Sequence, residues 1–539
     1  MNLWVKENGK SECLNVMLRI RICILPERGQ TSIRSYVARE FEEFLKGGKQ
    51  MYEKSCAPTN QITKWREINF SKAEYEVRKL QVRIAKSIQE KRYNKAKALQ
   101  WTLVHSFYAK AIAIKRVTEN KGKKTPGVDG VCWNTDEEKF EAIKLLDRRG
   151  YHPQPLRRIY IPKKNGKKRP LSIPTMKDRA MQTLYKLALE PVAETLADES
   201  SMGFRPKRCV QDAIELCFTI LAKKSSPKWI LEGDIKGCFD NINHEWMIQN
   251  LCMDSEILRK FLKAGFIEDG KWFDTKQGTP QGGAISPTLC NMTLDGLNRI
   301  LKKRFTRKHI NGKWYNPKIH MVRYADDFII TGESKEVLEN EVQPLIIDFM
   351  KSRGLELSSE KTVITNINDG FNFLGCNIRK YGDKLLTKPS KDNVKTFLRK
   401  CRGIIKGSKS ARQRDLIKKL NPIIRGWVNF HKHNVSTEIF KYVDYQIFEM
   451  LWKWAKRRHK AKNAKWIKDR YFHKIGKRIW TFSELLENGK YLRLEYASDM
   501  KIIRHTMIKL EANPYDTKWN DYFVKRAKKN RSNFIAVYE

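Results

Sequence analysis

The chain has 539 residues, with 107 Lys+Arg against 60 Asp+Glu, a formal net charge of +47. At roughly 100 to 200 residues per domain this length predicts three or four domains, with enough core to need no disulfide or metal staple. A hydrophobic content of 41% and an aromatic content of 11% exclude a disordered basic tail, so the excess charge belongs to folded surfaces and predicts a polyanionic partner, the phosphate backbone of a nucleic acid.

Eleven cysteines, none in C-x-x-C spacing, suggest neither a zinc ribbon nor a disulfide framework and fit a reducing compartment. Segment 14–26 is broken by Arg19 and Arg21 and lacks a small-residue cleavage signal, so no signal peptide is expected. No apolar run approaches the roughly 18 residues of a membrane span.

In chain order, residues 1–60 lack clear periodicity and read as an extension. Within 61–120, Leu80, Ile84 and Ile88, then Leu99, Leu103, Phe107 and Ala111, recur at helical spacing between basic residues, which predicts two amphipathic basic helices. Segment 121–130 (KGKKTPGVDG) is a loop by its Gly and Pro content. Segment 157–174 reads as a hairpin, two β-branched and aromatic runs around an Asn-Gly turn. Helix and strand signals then alternate to about residue 386, giving a mixed α/β body over 121–386. Beyond Pro389 strand signals fade, and 394–470 reads as helices rich in Trp and Lys/Arg. A helical module is therefore expected over 387–475, followed by a basic, DNA-binding-like region over 476–539.

The body carries an acidic pattern. Segment 323–330 (RYADDFII) places Asp326 and Asp327 between two apolar runs. Adjacent side chains on a strand point to opposite faces, so a tight turn is the natural way to present both acids at one place. Alone, the dipeptide reads as a surface turn. Segment 230–240 (ILEGDIKGCFD) adds Asp234 at the end of another apolar run able to pair beside the first. Three carboxylates on adjacent strand ends repel one another unless divalent cations are bound, the arrangement for two Mg²⁺ ions holding a triphosphate and an attacking hydroxyl.

Asp234 with Phe239, then 277–287 (QGTPQGGAISP), then Tyr324-Ala325-Asp326-Asp327, resembles motifs A, B and C of reverse transcriptases, in order. Segment 354–362 (GLELSSEKT) resembles motif D with Lys361 as its lysine, Phe373-Leu374-Gly375 resembles the primer grip, and the hairpin with Lys163 and Arg169 resembles the fingers. Segment 65–70 (WREINF), Gly127-Val128-Asp129-Gly130 and 424–431 (IRGWVNFH) narrow the resemblance to group II intron-encoded proteins, or maturases, over about 62–520. The lack of cysteine after Cys401 implies a member without the Cys/His-rich HNH endonuclease.

The resemblance implies a multidomain α/β right-hand polymerase, fingers and palm, followed by an α-helical thumb or maturase domain. It implies Asp234, Asp326, Asp327 and the Ile235 backbone carbonyl as ligands of two Mg²⁺ ions, with Lys361 protonating the departing pyrophosphate. Lys163, Arg169, Phe239 and Gln281 would hold the nucleotide, Arg169 as a bidentate fork and Phe239 as a flat ring that collides with a 2′-hydroxyl. Deoxynucleotides would then be preferred, against an RNA-dependent RNA polymerase. Segment 453–470 holds nine Lys/Arg, one acid and two Trp, which suits phosphate contact and stacking on structured RNA. Arg425, Trp427, Arg457, Arg458 and Lys460 are the expected RNA contacts, while His431 and His433 are expected to be structural or RNA-facing, without a metal.

The expected function is RNA-directed DNA synthesis joined to binding of a parent group II intron RNA, assistance to its splicing, and retrohoming by target-primed reverse transcription. The partners would be intron RNA, target DNA and primer, and deoxynucleoside triphosphates, with no membrane, in bacterial cytoplasm or an organelle. Two alternatives stay open: a reverse transcriptase domesticated for host defence or repair, and a splicing factor whose polymerase is inert.

Overall fold

A computed structural model describes residues 62–162, 166, 168–310 and 312–535, and the chain divides into two units, 1–68 and 69–539. Of the first unit, residues 62–68 are described. They form a 3-10 turn, Trp65–Glu67, in which the Glu67 carboxylate accepts from the backbone N–H groups of Thr63 and Lys64 at 3.0 and 3.1 Å.

The second unit opens with α1 (Phe70–Gln89), α2 (Tyr93–His105) and α3 (Phe107–Glu119). Two helices were expected here. The run from Leu99 to Ala111 is split because Ser106 takes an extended backbone, φ −69° and ψ 130°. The chain continues through α4 (Asp136–Leu145), the strands β1 (Leu156–Pro162) and β2 (Lys168–Ile173), α5 (Met176–Leu196) and α6 (Val210–Leu221). Buried glutamines lock the first helices to α5: Gln81 donates to Leu187 O, and Gln100 to Ala188 O.

Next come β3 (Trp229–Gly233), α7 (Cys238–Asn241), α8 (His244–Asn250), α9 (Ser255–Leu262), β4 (Phe266–Glu268) and β5 (Lys271–Phe273). They lead to α10 (Ser286–Leu294), α11 (Leu297–Arg304), the small hairpin β6 (Lys308–Ile310) and β7 (Lys313–Tyr315), then β8 (His320–Tyr324), β9 (Asp327–Gly332), α12 (Gln343–Lys351) and β10 (Val363–Asn366).

Two four-stranded sheets carry this body, ordered β2-β1-β4-β5 in the fingers and β10-β3-β9-β8 in the palm. The expected hairpin is β1–β2, antiparallel with Ile161 opposite Arg169. On one face of the palm sheet, Ala213, Ile214 and Cys217 of α6 meet Ile230, Val322 and Ile329 in one apolar core. Side chains alternate along β8, so Arg323, next to Val322, points to the opposite face.

A three-stranded sheet, β11 (Phe371–Phe373), β12 (Cys376–Tyr381) and β13 (Lys384–Pro389), precedes the thumb. The thumb comprises α13 (Lys391–Gly407), α14 (Gln413–His431), α15 (Thr437–Arg458) and α16 (Ala464–Tyr471). Three strands follow: β14 (Phe472–Ile475), β15 (Arg478–Leu485) and β16 (Tyr491–Arg493). The boundary expected at 475 falls between paired strands, since Phe472 lies opposite Phe482. Phe472, Phe482, Leu494 and Ala497 share one core with Phe397, Leu416, Leu451 and Trp454, so the module extends past its helices. Strand signals do not end at Pro389. The aromatic and β-branched run RIWTFSEL is short and set among basic residues, which hid it.

The segment after it was expected to resemble a DNA-binding region, yet much of it is a strap across the back of the palm. Asp212 Oδ1, fully buried, accepts from His505 Nε2 (2.9 Å), Ile508 N (2.8 Å) and Arg526 Nη2 (2.7 Å), the last from α17 (Asn520–Ile535). Arg208 donates to the Leu510 and Ala512 carbonyls, and the Tyr515 hydroxyl donates to Glu190. Cys209, Asp212 and His505 have the grouping of a metal site, but the Arg526 guanidinium already supplies the cation there. Among the described residues all eight cysteines are free, and no helix is long and apolar enough to cross a membrane.

Burial pushes the Asp212 carboxyl up, but the His505, Arg526 and Ile508 donors outweigh it and hold it below its ordinary 3.8. Asp212→Asn leaves a buried guanidinium without its counter-charge and should cost roughly 3–5 kcal/mol in urea unfolding. The difference between wild type and variant should be fully present above the ordinary carboxyl pKa. It should shrink as the pH falls through the depressed value, because the folded state then loses its charged acceptor. A difference that grows on acidification would contradict the assignment.

Candidate active site

The register of the palm sheet brings the three acids together. Strands β8 and β9 are joined by the two-residue turn Ala325-Asp326, with Tyr324 opposite Asp327 and Ala325 in the left-handed region at φ +59°. Gly233, the last residue of β3, lies opposite Phe328, so Asp234 follows it off the strand end beside Asp327. Burial first, then the charges of Asp326 and Asp234, push the Asp327 carboxyl up to about 6, while Lys361 pulls it down. Lys361 Nζ stands 2.8 Å from Asp234 Oδ2, and that hydrogen bond holds the ammonium above its usual range. Three carboxylates thus face one ammonium. An all-oxygen site with negative charge left over fits hard divalent cations.

Motif D lies along motif A through backbone bonds, Ser358 N to Asp234 O and Lys236 N to Glu356 O, which flank Ile235. The Ile235 carbonyl is left out of that pairing. Behind the Ala325-Asp326 turn stands a residue that the sequence reading missed. Arg323, 1% exposed, donates to Ala325 O (3.2 Å) and Asn291 Oδ1 (3.1 Å) and forms an ion pair with Asp295 just beyond α10. Burial pushes the Asp295 carboxyl up to about 6 even with Arg323 beside it. The signal was a charged residue inside an otherwise apolar strand. Nothing local indicated that an acid some thirty positions earlier in the chain would meet it.

The residues expected to hold the nucleotide come from three elements. Gln281 Oε1 accepts from Arg169 Nε (2.9 Å), while its Nε2 donates to both Asp240 oxygens (2.9 and 3.0 Å), so Asp240 is a second residue the sequence reading missed. Gly278, at φ +82°, lets the glycine turn press on α7, for a Cβ there would stand 2.5 Å from the Asp240 carbonyl. Thr279 N donates to Phe239 O at 2.6 Å. The Phe239 ring is half-buried and meets Phe204 edge-on, with centroids 6.5 Å apart. Lys163 lies outside the described residues.

Several expected RNA contacts have other roles. The Trp427 indole stacks on Phe397 (4.4 Å), meets Phe440 edge-on and donates to Asn393, so it belongs to the thumb core and not to a stacking platform. Trp454, 2% exposed, donates to Ser408 O, and Arg458 covers its ring while donating to Lys409 O and Ala411 O. Arg458 is therefore a tie on the α13–α14 loop. Arg425 forks onto Glu495 at the surface. Arg457 and Lys460 are exposed. His431 is fully buried, held between Asn393 and Asn434, and burial pushes its pKa down to about 4. His433 Nδ1 donates to Ile503 O. Both histidines are structural.

Arg323→Met strands Asp295 in the interior and should lower stability by roughly 3–5 kcal/mol in urea unfolding. Arg323→Met combined with Asp295→Leu should recover most of that loss, because two apolar residues replace the pair. A single variant as stable as wild type would remove the pair from its supporting role.

The model described as reverse transcriptase (RNA-dependent DNA polymerase) matches residues 161–378, that for the N-terminal domain of reverse transcriptase matches 65–146, and that for the group II intron maturase-specific domain matches 394–472. The chain is 34% identical over 328 residues to the Group II intron-encoded protein LtrA of Lactococcus lactis subsp. cremoris, covering 50% of this chain and 54% of that protein. It is 34% identical over 303 residues to Protein YkfC of Escherichia coli (strain K12), covering 49% of this chain and 78% of that protein. The match thus spans about half the length of LtrA. Apo telomerase from Candida Tropicalis aligns at TM-score 0.36 and 14% identity, over 58% of each chain. A reverse transcriptase palm with its acids in register, flanked in one chain by the matching N-terminal and maturase-specific segments, places this protein in the family of group II intron-encoded proteins.

Proposed function

We propose that this protein is an RNA-directed DNA polymerase that also binds its parent group II intron RNA, assists its splicing and supports retrohoming by target-primed reverse transcription. The observation that carries the polymerase reading is the meeting of Asp234, Asp326 and Asp327 at the open end of the palm sheet, with Lys361 beside them. Asp234, Asp326, Asp327 and the Ile235 carbonyl would hold two Mg²⁺ ions, which when bound supply activation of the primer 3′-hydroxyl and charge neutralisation at the leaving pyrophosphate.

The chain's own residues do the rest. Arg169 leaves Gln281 to fork onto the incoming triphosphate, and Gln281, held from the other side by Asp240, keeps its amide turned to the nucleotide. Phe239 lies under the sugar and leaves a 2′-hydroxyl neither room nor a hydrogen-bond partner. Lys361 is poised to give a proton to pyrophosphate. The complete set of acids favours a working polymerase over an inert splicing factor.

Intron binding is supported by the maturase-specific match and by the similarity to LtrA. Its surface is proposed as the groove between α13 and α15, lined by Arg402, Lys406, Lys453 and Arg457, all exposed. Assistance to splicing follows if the protein binds the folded intron more tightly than the unfolded RNA.

Asp326→Ala or Asp234→Ala should lower Mg²⁺-dependent primer extension on an RNA template by several orders of magnitude, while the fold survives. Full extension by either variant would sink the polymerase reading. Replacing Arg402, Lys406 and Arg457 by Gln should weaken binding to the parent intron. The dependence of log affinity on log salt should become shallower by about one unit for each phosphate that is no longer neutralised. Extension on an annealed primer at saturating template should change less. An unaltered affinity and salt slope would move the RNA anchor away from this groove.

A further inference from the structure

We propose that Phe204 is a positioning residue for sugar selection, a brace that holds the Phe239 ring at the depth where it meets the ribose. The inference rests on the reading of Phe239 as the sugar gate.

Phe204 has a left-handed backbone, φ +57°, a conformation that is uncommon for a bulky residue and persists only when its surroundings impose it. The residues on either side impose it here. Met202 N donates to Arg323 O at 2.8 Å, and Gly203 O accepts from Asn291 Nδ2 at 2.7 Å. Gly203 itself is pressed on the catalytic turn, where a Cβ would stand 2.4 Å from Ala325 N. On the other side, Arg205 forks onto the buried Glu194 at 2.8 and 2.9 Å and also donates to two backbone carbonyls. With one flank fixed to the supports of the Ala325-Asp326 turn and the other to Glu194, the chain reverses at Phe204, which stays largely exposed.

Phe204 is 52% exposed, so it adds little to the core, and glycine would relieve the backbone. Folding alone therefore gives no reason for an aromatic at this position. The ring meets Phe239 edge-on, at 78° between planes and 6.5 Å between centroids, within the favoured range for aromatic pairs. Phe239 is half-buried, and its position under a sugar depends on what supports that ring. Phe204 joins this support directly to the turn that carries Asp326, so gate and acids share one frame.

The experiment measures the efficiency of ribonucleotide relative to deoxynucleotide incorporation on an RNA template, using the full chain. Phe239→Ala should raise the ratio by an order of magnitude or more, as expected of a gate. Phe204→Ala should raise it by about two- to tenfold, the size of one edge-to-face contact. The double variant should match Phe239→Ala alone, since a brace with nothing to hold has no effect. Phe204→Tyr, which keeps the ring edge, should retain the wild-type ratio.

If Phe239→Ala shifts the ratio and Phe204→Ala leaves it unchanged, the brace is overturned while the gate stands. A Phe204→Ala variant that loses both efficiencies alike has a structural role only. If the double variant exceeds Phe239→Ala by the Phe204→Ala factor, the two residues act independently and the brace is also overturned. If Phe239→Ala itself leaves the ratio unchanged, the gate falls and the brace falls with it. Should Phe204→Ala fail to fold, Phe204→Leu keeps apolar bulk without the ring edge and should show a smaller shift in the same direction.

Discussion

Three carboxylates crowded onto the end of one sheet impose the constraint around which the palm is arranged. Burial and the neighbouring charges of Asp326 and Asp234 push the Asp327 carboxyl up to about 6, which records the cost of that crowding. The sheet tolerates them because they stand at strand ends facing an open cleft, with Lys361 supplying one positive charge from motif D. Their separation is set by backbone pairing, β3 against β9 and β9 against β8, and not by any attraction between them. The buried Arg323–Asp295 pair then holds the turn from behind, through the guanidinium bond to Ala325 O. Repulsion in front is met by a charge pair at the back.

The same frame organises the residues proposed to hold the nucleotide. The fingers reach the palm through Ser172 N on Gln281 O and through Arg169 on the Gln281 side chain. A donor on one side and a carboxylate on the other leave the Gln281 amide a single orientation, with its oxygen toward Arg169 and its nitrogen toward Asp240. One residue of the glycine turn therefore reports the positions of both fingers and motif A. Phe204, next to the Gly203 that presses on the same turn, meets Phe239 edge-on.

Away from the cleft, the protein uses many of its cations and aromatic rings internally. Trp427 and Trp454 fill the thumb, Arg458 ties a loop, Arg205 pairs with Glu194 inside the palm, and Arg208 and Arg526 fasten the palm to its strap. A net charge of +47 still leaves a basic exterior, of which the groove along α13 and α15 is one face. The strap returns from the thumb to α6 and α5, so the C-terminal segment holds two regions of the polymerase instead of standing apart from them.

The features legible in the sequence are those encoded locally. That Asp234, Asp326 and Asp327 would meet was readable because short apolar runs and a tight turn need only neighbours in the chain to be recognised. The β1–β2 hairpin and the helices of the thumb were readable for the same reason. Composition also pointed to RNA-facing tryptophans, but a basic, Trp-rich helix has the same sequence whether its rings face solvent or a core. Only packing against Phe397, Phe440 and Ser408 decided that Trp427 and Trp454 lie inside. The partners of Arg323, Gln281, Asp212 and Phe204 were decided by tertiary structure as well. Each meets residues from a separate element, and a contact of that kind depends on how sheets, helices and the C-terminal strap come together, which no local pattern of charge or hydrophobicity records.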